Sequence, residues 1–386
     1  MEKLFVIGYG PGDESMLPDI AKDLIEASGR VLNTREVSLT ELFSELKKPT
    51  AGGTAVLVSG DSGCFSIAKK ITEEFSGLYE IELVPGIGSV QYLSAKIQAP
   101  YDDAALVSLH GRKVNIVAKV AYNYKVFALT GGENRVPDIC RTLSKYGLGG
   151  VLVSVGERLS YPDERIVTDR AEALTGMDFD EMSIMYIDNP SAVDPHIPLK
   201  DSDFIRSDVP MTKEEIRWLS IGKLGVMPQD IAFDIGAGTG SVAVEMARKA
   251  YEGFVYAIET RDDACELVRQ NAARHGTFNL EIVNGEAPGA FEGLPVPDKA
   301  FIGGSSGNMD GILKGLLSLN PDIKIVANAI TLRTLGQIRE GFEKHGIESI
   351  DTICVNIAKV KSAGEYDMMT AQNPVYIVTG IGGGNA

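Results

Sequence analysis

The first hundred residues repeat one pattern of apolar and polar positions three times. In each repeat a short apolar run ends in a glycine-containing turn, and an amphipathic stretch follows. The apolar runs cover residues 3–7, 54–59 and 79–84. Such runs are typical of buried strands, and the amphipathic stretches predict helices at about 17–28, 64–76 and 89–97. Strand–loop–helix repeats predict a parallel sheet whose loops share one edge, where open α/β sheets bind ligands.

The alternation continues less regularly beyond residue 104. We expect further strands near 104–109, 125–129, 151–155 and 183–187, and a helix within 130–147. Residues 161–165 interrupt the pattern. These elements predict a second, smaller α/β lobe. The proline-rich and polar stretch 189–210 that follows them indicates a linker between domains.

The second half shows the same alternation around a glycine-rich turn. The apolar run 231–235 precedes that turn, and an amphipathic stretch follows it to about residue 250. Thr212 is a suitable N-cap for a helix that ends near Leu224. Further strands are expected near 253–258, 280–283, 299–302, 323–327, 349–357 and 374–379, and helices at 261–275, 309–319 and 333–345. The order predicts a seven-strand Rossmann-like domain, with a frayed tail from Gly380 onward.

The pattern as a whole predicts an α/β protein of two domains. The first would cover residues 1–205, in lobes of about 1–110 and 111–190, and the second residues 206–386. A chain of 386 residues that is 44% hydrophobic is long enough to form two such cores.

Composition narrows the choice of partners. The net charge of −16 disfavours a nucleic-acid partner, since such proteins are more often basic. No apolar run reaches the length of a membrane span, and the first residues enter a strand directly, so we expect a cytoplasmic protein without a membrane partner. The four cysteines and four histidines show no ligand-type spacing, so we expect no metal site.

The loop Gly236-x-Gly238-x-Gly240 is the strongest candidate site. A dinucleotide fingerprint would have a further glycine where Ser241 stands. Glu259 ends the next predicted strand, where an acid can accept hydrogen bonds from a ribose diol. S-adenosylmethionine needs a close backbone approach and a ribose acceptor but no pyrophosphate cradle, so the loop favours this cofactor over NAD. An NAD-dependent oxidoreductase, and glycines that only turn the chain, remain the alternatives.

Other strand ends carry weaker signals. The turn 285–287 would leave room for an adenine ring, and the turn 303–305 would let a large substrate approach, although each is equally well explained as an ordinary turn. The three glycine turns of the first half together favour a binding cleft. His110 follows a strand and is either a proton carrier or a hydrogen-bonded hinge residue.

The order of motifs resembles known families over nearly the whole chain. The first half resembles the tetrapyrrole (corrin/porphyrin) methylases, in the branch that methylates carbon 5 of a corrin precursor. This resemblance is carried by Gly8-x-Gly-Pro-Gly-Asp13, Val58-Ser-Gly-Asp-Ser-Gly63, Val84-Pro-Gly-Ile-Gly-Ser89, Ser108-Leu-His-Gly-Arg112 and Leu129-Thr-Gly-Gly-Glu133. The second half resembles the enzymes that methylate carbon 15 and remove carbon dioxide from the carbon-12 acetate in cobalamin biosynthesis. Its carriers are Pro210-Met-Thr-Lys213, Asp234-Ile-Gly-Ala-Gly-Thr-Gly-Ser241, Gly285-Glu-Ala287, Phe301-Ile-Gly-Gly-Ser305 and Val326-Ala-Asn-Ala-Ile330.

The resemblance implies a two-lobed tetrapyrrole methylase fold followed by a Rossmann-like methyltransferase domain. It also implies S-adenosylmethionine as cofactor, a corrin-ring substrate and a homo-oligomer, either dimer or tetramer. The cofactor contacts it implies in the first half are Gly10, Pro11, Gly60, Asp61, Ser89 and Thr130. Those it implies in the second half are Thr212, Gly236, Ala237, Gly238, Thr239, Gly240, Glu259 and Ala287. Each half would catalyse one methylation, the alternative being that one half is a silent scaffold.

An acidic protein needs local positive charge to bind a ring that carries many carboxylates. We expect this lining from Arg112, Lys113 and Arg135 in the first half and from Arg333, Lys359 and Lys361 in the second. Among these, Arg112 and Arg333, together with His110, are the candidates for catalytic contact with the substrate. Methyl transfer from a sulfonium is an in-line displacement that needs positioning and exclusion of water, so we expect no covalent intermediate with the protein.

Overall fold

The computed structural model describes residues 1–110 and 114–384, and the chain forms two compact units, Met1–Ala192 and Val193–Ala386. The division falls earlier than the expected boundary at 205/206. Residues 193–205 belong with the second unit because their backbone is bound there: the Leu199 N–H donates to Glu245, and the Ile205 N–H donates to Asn271. No helix within the described ranges has the length and apolar character needed to cross a membrane.

The first lobe of unit 1 is built on a four-stranded parallel sheet in the order β2-β3-β1-β4. Its strands are β1 (Glu2–Gly8), β2 (Arg30–Asn33), β3 (Thr54–Val58) and β4 (Tyr79–Val84). Its helices are α1 (Asp19–Ala27), α2 (Leu39–Leu46), α3 (Ala68–Phe75) and α4 (Ser89–Ile97). β3 is buried along its whole length because it is an inner strand with apolar residues on both faces. The three predicted units are confirmed, and β2 and α2 are additions that the pattern did not indicate.

The second lobe of unit 1 contains a five-stranded mixed sheet in the order β5-β6-β9-β7-β8. Its elements are β5 (Ala105–Ser108), α5 (Ile116–Ala121), β6 (Lys125–Leu129), α6 (Val136–Lys145), β7 (Leu152–Glu157), β8 (Arg165–Arg170), α7 (Ala171–Leu174) and β9 (Ser183–Asp188). Only β5 and β6 pair in parallel. The predicted strands are present, whereas β8 was missed because this edge strand is largely exposed and rich in charge.

Unit 2 is built on a seven-stranded sheet in the order β12-β11-β10-β13-β14-β18-β15, in which β18 runs antiparallel to both neighbours. Its strands are β10 (Ile231–Ile235), β11 (Phe254–Glu259), β12 (Leu280–Asn284), β13 (Lys299–Ile302), β14 (Lys324–Ala329), β15 (Ile347–Val355), β16 (Ala358–Ala363), β17 (Tyr366–Ala371) and β18 (Val375–Gly382). Its helices are α8 (Glu214–Leu224), α9 (Ser241–Lys249), α10 (Asp262–Arg274), α11 (Met309–Leu319) and α12 (Leu332–Lys344). β16 and β17 form a separate hairpin. The predicted Rossmann-like order of seven strands is therefore confirmed.

Both faces of the seven-stranded sheet are covered by helices. Phe233 and Ile235 of β10 point into a core that includes Ile312 of α11 and Phe342 of α12. Ala232, on the opposite face, packs with residues of α8 and α9. This alternation along one strand is what a sheet between two helical layers requires, and it leaves the carboxyl edge of the strands free for a site.

The prediction of a frayed tail from Gly380 was wrong for the first residues of that tail, and Asn385 and Ala386 lie outside the described residues. β18 continues to Gly382, whose N–H donates to the Ile323 carbonyl. A Cβ at Gly380 would lie 2.4 Å from Ile347 and 2.8 Å from Phe342, so the strand end is packed against the core. Glycine is retained here because the backbone needs that close approach, rather than because the chain is loose.

Candidate functional site

A cavity of about 860 Å³ lies at the carboxyl ends of β10, β11, β13 and β14 in unit 2. It is the position at which an open α/β sheet is expected to bind a ligand. The residues that line it include Pro210, Thr212, Lys213, Gly236, Ala237, Gly238, Glu259, Gly285, Ala287, Gly303, Gly304, Ser305, Asn328, Thr334, Gln337, Gln372 and Asn373. Every predicted contact of the second half except Thr239 and Gly240 is therefore on this cavity wall.

Glycine is required in the loop after β10 by both conformation and space. Gly236 has φ +72°, and a Cβ there would lie 2.8 Å from the backbone of Gly304. Gly238 has φ +55°, and its Cβ would lie 2.8 Å from the Pro210 carbonyl oxygen. Few L side chains adopt these angles, and the obstructing atoms are backbone. The loop is thus pressed between the turn after β13 and the segment before α8, and its own backbone forms the cavity wall.

Glu259 is the anchor of this loop. Only 9% of the residue is exposed, and Oε2 accepts a hydrogen bond from the Gly238 N–H at 2.9 Å. Oε1 accepts from the N–H groups of Thr260 at 2.8 Å and Arg261 at 3.1 Å. Hydrogen bonds to an ionised group are among the stronger ones in proteins. The carboxylate therefore shapes the glycine loop, in addition to presenting oxygens toward the cavity.

Asp234 is a buried acid that the sequence reasoning did not single out as functional. Its side chain is almost completely inaccessible, and neither oxygen makes a hydrogen bond of normal geometry with the described residues. Burial raises the pKa of this carboxyl to about 7, the nearby charge of Glu259 adds to the shift, and the Ala243 N–H opposes it. An aspartate inside an otherwise apolar strand is the signal that was available, because such a residue seldom serves packing alone.

The segment before α8 is held by the fully buried Arg217. Its guanidinium donates to the carbonyl oxygens of Thr212 at 2.7 Å and Leu199 at 2.7 Å, and it contacts the carboxylates of Asp201 and Glu245. The prediction that Thr212 is the N-cap was wrong, because the cap position belongs to Lys213 and no side chain caps the helix. Arg217 instead fixes the Thr212 backbone and so directs that residue to the cavity.

Of the remaining predicted residues, one lines the cavity and two support the glycine loop from behind. Ala287 is buried, lines the cavity and leaves room where a larger side chain would fill it. Thr239 is 1% exposed, and its carbonyl accepts from Asn271 at 2.9 Å. Gly240 is the N-cap residue of α9 with φ +75°, and its Cβ would lie 2.8 Å from Val268. Thr239 and Gly240 therefore support the loop from behind.

The three glycine turns of unit 1 meet through their backbones. Gly10 and Gly60 exchange hydrogen bonds, the Gly10 N–H to Gly60 O at 3.1 Å and the Gly60 N–H to Gly10 O at 3.0 Å. A Cβ at Gly8 would lie 2.6 Å from the Gly86 nitrogen, and one at Gly86 would lie 2.3 Å from the Gly8 oxygen. Pro11 follows the first of these turns. The predicted convergence of the three strand ends is thus present as close backbone packing.

Polar side chains complete these turns. Asp61 Oδ1 accepts from the Gly63 N–H at 3.1 Å and the Gly86 N–H at 3.4 Å, so it joins the second and third turns. Ser89 is the first residue of α4. Thr130 belongs to the second lobe and is largely buried, and its hydroxyl donates to the Ser183 carbonyl at 2.7 Å. That hydroxyl is engaged within its own lobe.

The pattern break at residues 161–165 proves to be a contact between the two lobes of unit 1. The Asp13 N–H donates to Ser160 Oγ at 2.9 Å, and a Cβ at Gly12 would lie 2.5 Å from the Tyr161 ring. Arg158 and Ser160 have φ of +47° and +67°. Such conformations persist where the surrounding structure imposes them. The second lobe therefore covers the first glycine turn, which the sequence pattern could signal only as an irregularity.

The basic and catalytic candidates predicted in unit 1 are only partly covered by the described residues. Arg112 and Lys113 lie outside the described residues. His110 is exposed, and its ring packs on Gly131, where a Cβ would lie 2.0 Å from Nδ1. Arg135 donates to the Phe179 carbonyl at 3.0 Å.

The three basic candidates of unit 2 are not on the described cavity wall. Lys359 forms ion pairs with Glu214 at 3.0 Å and Glu215 at 2.7 Å, which raise its pKa. Arg333 lies in the first turn of α12, and Lys361 is exposed on β16. The geometry thus gives these side chains no common site.

Two family models match the chain in the order that the motifs predicted. One, described as tetrapyrrole (corrin/porphyrin) methylases, matches residues 34–175, and one described as a precorrin methyltransferase domain matches residues 203–380. A Sinorhizobium relative, named precorrin-6Y C(5,15)-methyltransferase [decarboxylating], is 27% identical over 404 residues, covering 97% of this chain and 95% of the relative.

Relatives of the second half alone are more similar. A Methanocaldococcus jannaschii protein, named as a probable cobalt-precorrin-6B C(15)-methyltransferase (decarboxylating), is 38% identical over 184 residues, covering 47% of this chain and 97% of the relative. A solved structure of a Geobacter metallireducens precorrin-6y C5,15-methyltransferase is 35% identical, covers 48% of this chain and 97% of its own, and has a TM-score of 0.46. The chain therefore belongs to the precorrin methyltransferase family, with a tetrapyrrole methylase domain ahead of its precorrin methyltransferase domain.

Proposed function

We propose that this chain is a bifunctional methyltransferase that acts on a precorrin-type ring in cobalamin biosynthesis. Unit 1 would methylate carbon 5, and unit 2 would methylate carbon 15 and release carbon dioxide from the carbon-12 acetate. The observation that carries the proposal is the presence of both domains in one chain, together with a relative named as a C(5,15)-methyltransferase that aligns over 97% of this chain and 95% of its own length. Membership of methyltransferase families also disfavours the alternative of an NAD-dependent oxidoreductase.

The cavity of unit 2 has the features that S-adenosylmethionine needs. Gly236 and Gly238 allow a ligand to approach the backbone, Glu259 offers carboxylate oxygens suited to a ribose diol, and Ala287 leaves space for a flat ring. The volume of about 860 Å³ lies in the range of small-molecule and cofactor sites. When bound, this cofactor supplies a methyl group on a positively charged sulfur. The protein residues position the reactants and exclude water from them.

In unit 1 we propose that the same cofactor binds at the junction of the three glycine turns. Gly10, Pro11, Gly60, Asp61, Ser89 and Thr130 are its proposed contacts. The close backbone packing of Gly8, Gly60 and Gly86 supports this, because it leaves backbone groups rather than side chains at the strand ends. The lobe contact through Ser160 and Tyr161 would hold the first turn in place.

Decarboxylation in unit 2 would need little from the protein beyond binding. The carbon–carbon bond to the acetate carboxylate breaks, its electron pair passes into the conjugated ring, and carbon dioxide leaves. A proton from solvent then completes the methyl group that remains. We propose that the cavity holds the carboxylate in a poorly solvated position, where loss of its charge is favoured.

Two further expectations stay proposals. We propose that the protein works in the cytoplasm, where ring-modifying enzymes meet small-molecule substrates.

We also propose self-association, and the hairpin of β16 and β17 supports it because Val360, Tyr366, Met368 and Met369 are each more than half exposed. Light scattering of the full chain tests the second proposal, and a monomer at micromolar concentration would contradict it.

The experiment that tests the proposed function counts sites and products together. Calorimetric titration of the full chain with S-adenosylmethionine should give two sites per chain. Mass spectrometry of the ring product should show two added methyl groups and the loss of one carbon dioxide. Both measurements are made with metal-free and with cobalt-containing ring. A single site and a single methyl group would instead support the reading in which one half is a silent scaffold.

A further inference from the structure

The cavity of unit 2 has two chemically different walls. The wall formed by the glycine loop, Glu259 and Ala287 is the proposed cofactor side. The other wall, beyond the turn 303–307, combines apolar side chains, among them Ile330, Ile357 and Val375, with uncharged polar ones. The polar side chains are those of Asn328, Thr334, Gln337, Gln372 and Asn373. Because β10, β13 and β14 are adjacent in the sheet, Asn328 on β14 lies about two strand spacings, ~10 Å, from the glycine loop.

Positive charge is scarce on this cavity wall. Lys213 and Arg261 are the basic side chains among the described residues that line it, and Arg261 is paired with Asp263 at 2.5 Å. Lys359 is paired with two glutamates. An acceptor that carries carboxylates would therefore meet mainly neutral donors on this side, namely amide N–H and hydroxyl groups.

Asn328 is the neutral donor whose position is best defined. Its Nδ2 lies 3.0 Å from Ser220 Oγ, and its Oδ1 lies 3.1 Å from the same atom. Ser220 is fully buried, and its hydroxyl has one proton, which it donates to the Ile216 carbonyl at 2.7 Å. The hydroxyl is then left to accept from the Asn328 amide.

This arrangement uses one of the two Asn328 N–H bonds. Within the described residues the second N–H has no further hydrogen-bond partner, and Asn328 lines the cavity. An amide that lines a ligand space and is held in place by a buried hydroxyl is suited to binding a carboxylate oxygen through its remaining N–H. A neutral donor would bind such a group without the full charge stabilisation of an ion pair.

We propose that Asn328 binds a carboxylate side chain of the acceptor ring and that Ser220 is its positioning residue. The inference rests on the proposed function of unit 2 and names a contact for its acceptor. Asn328 would then be the main group that recognises the acceptor on that side of the cavity, in place of the predicted Arg333, Lys359 and Lys361.

The test compares the full chain with Asn328→Asp, Asn328→Ala and Ser220→Ala. Asn328→Asp keeps the shape and places a negative charge against the acceptor carboxylate, so its KM for the precorrin-type acceptor should rise by at least ~10-fold, the effect of losing one hydrogen bond to a charged group. Asn328→Ala should show a smaller rise. Ser220→Ala should raise KM by a few-fold, ~2–5, since it frees the amide to rotate without removing it. Asn356→Asp, which adds the same charge on an exposed position of unit 2, is the matched control.

Two readouts make the outcome specific. The affinity of the unit 2 site for S-adenosylmethionine and the rate of carbon-5 methylation should stay within about twofold of the parent chain, which shows that each variant is folded. If the parent chain is active at carbon 15 and Asn328→Asp has an unchanged acceptor KM, the inference is overturned. If the parent chain neither methylates carbon 15 nor releases carbon dioxide, the proposed function of unit 2 fails instead. A variant that loses cofactor affinity together with acceptor affinity would assign Asn328 to the fold, against the inference.

Discussion

The glycine turns of the two units bring backbone to the edge of a sheet by different means. In unit 1, backbone meets backbone: Gly10 and Gly60 exchange hydrogen bonds, and Gly8 lies against Gly86. In unit 2, a side chain holds the turn, because Glu259 accepts from the N–H groups of Gly238 and of Thr260 and Arg261, which precede α10. The arrangement in unit 1 leaves no space for a Cβ at Gly8 or Gly86, and Asp61 adds hydrogen bonds between two of its turns. The arrangement in unit 2 needs both its glycines and the carboxylate of Glu259.

Glycines at a strand end thus serve two needs, space and a positive φ, which the two units distribute differently. In unit 1 the two needs fall on different residues: Gly8 and Gly86 are crowded by backbone, whereas Gly10 and Gly60 have positive φ. In unit 2, Gly236 and Gly238 each combine a positive φ with a close backbone neighbour. Substitutions that distinguish crowding from anchoring should therefore affect the two units unequally.

The largest effect on cofactor affinity is expected when one glycine in each unit is replaced by alanine. At Gly86 the new Cβ would lie 2.3 Å from the Gly8 oxygen, and at Gly236 it would lie 2.8 Å from Gly304 at a φ of +72°. Displacing backbone and straining φ costs at least about 3 kcal/mol, so cofactor affinity should fall by ~100-fold or more. Calorimetric titration should show that Gly86→Ala loses only the unit 1 site and Gly236→Ala only the unit 2 site. Loss of both sites in either variant would contradict two independent sites.

The next largest effect concerns Asp234, which has no counterpart in the turns of unit 1. Its pKa is raised from 3.8 to about 7, so between these values the folded protein keeps a proton that the unfolded chain has lost. Stability therefore falls as pH rises through this window, by about 1.4 kcal/mol per pH unit and about 4 kcal/mol in all. Asn has nearly the same shape and does not titrate.

Asp234→Asn should therefore be more stable than the parent chain near pH 7 without cofactor, with the difference shrinking toward pH 4. Urea unfolding across this range, followed by a signal from unit 2, measures it. A difference that does not depend on pH would show that Asp234 is ionised in the folded protein.

A smaller effect on cofactor affinity is expected from substitutions of the side chains that hold the glycine turns. Glu259→Gln places an amide N–H₂ among three N–H donors, and the loss of a charge-assisted hydrogen bond costs about 1.5–3 kcal/mol, or ~10- to 100-fold in cofactor affinity at unit 2. The matched change in unit 1 is Arg35→Ala. In the parent chain the Arg35 guanidinium donates to the Gly10 carbonyl oxygen at 2.9 Å and covers the Tyr9 ring.

Because the Gly10–Gly60 exchange persists without Arg35, we expect the affinity at unit 1 to fall by no more than ~10-fold. Site-resolved titration of both variants decides the matter. If Arg35→Ala costs more than Glu259→Gln, the turns of unit 1 are also anchored by a side chain.

The smallest effect is expected at Lys359. This lysine is occupied by Glu214 and Glu215 and is partly exposed, so Lys359→Ala should change acceptor KM by less than ~2-fold. Arg333→Ala is the companion change, because both residues were expected in the basic lining. A tenfold rise in KM for Lys359→Ala would restore the basic lining and weaken the proposal for Asn328.

The sequence pattern was sufficient to predict much of the fold, because apolar runs mark buried strands and glycines mark the turns that end them. The seven strands of unit 2 and the three repeated units of unit 1 were predictable for this reason. β8 and the hairpin of β16 and β17 were missed because edge and protruding strands bury few side chains and so lack the buried apolar run on which the prediction relied. The N-cap was wrongly predicted at Thr212 because threonine is a preferred N-cap residue. In the structure, the buried Arg217 instead binds the Thr212 carbonyl oxygen.

The sequence by itself determined the strand–turn–helix order, the positions where only glycine fits, and the family. These follow from short-range chemistry: the steric freedom of glycine, the burial of apolar runs and the order of motifs along the chain. Tertiary structure alone decided that Glu259 anchors the loop, that Asp234 is buried beside it, that Tyr161 covers Gly12, and that Ser220 binds the amide of the cavity-lining Asn328. Each of these contacts joins residues distant in sequence, and hydrogen-bond distances and desolvation are properties of the packed molecule rather than of any segment.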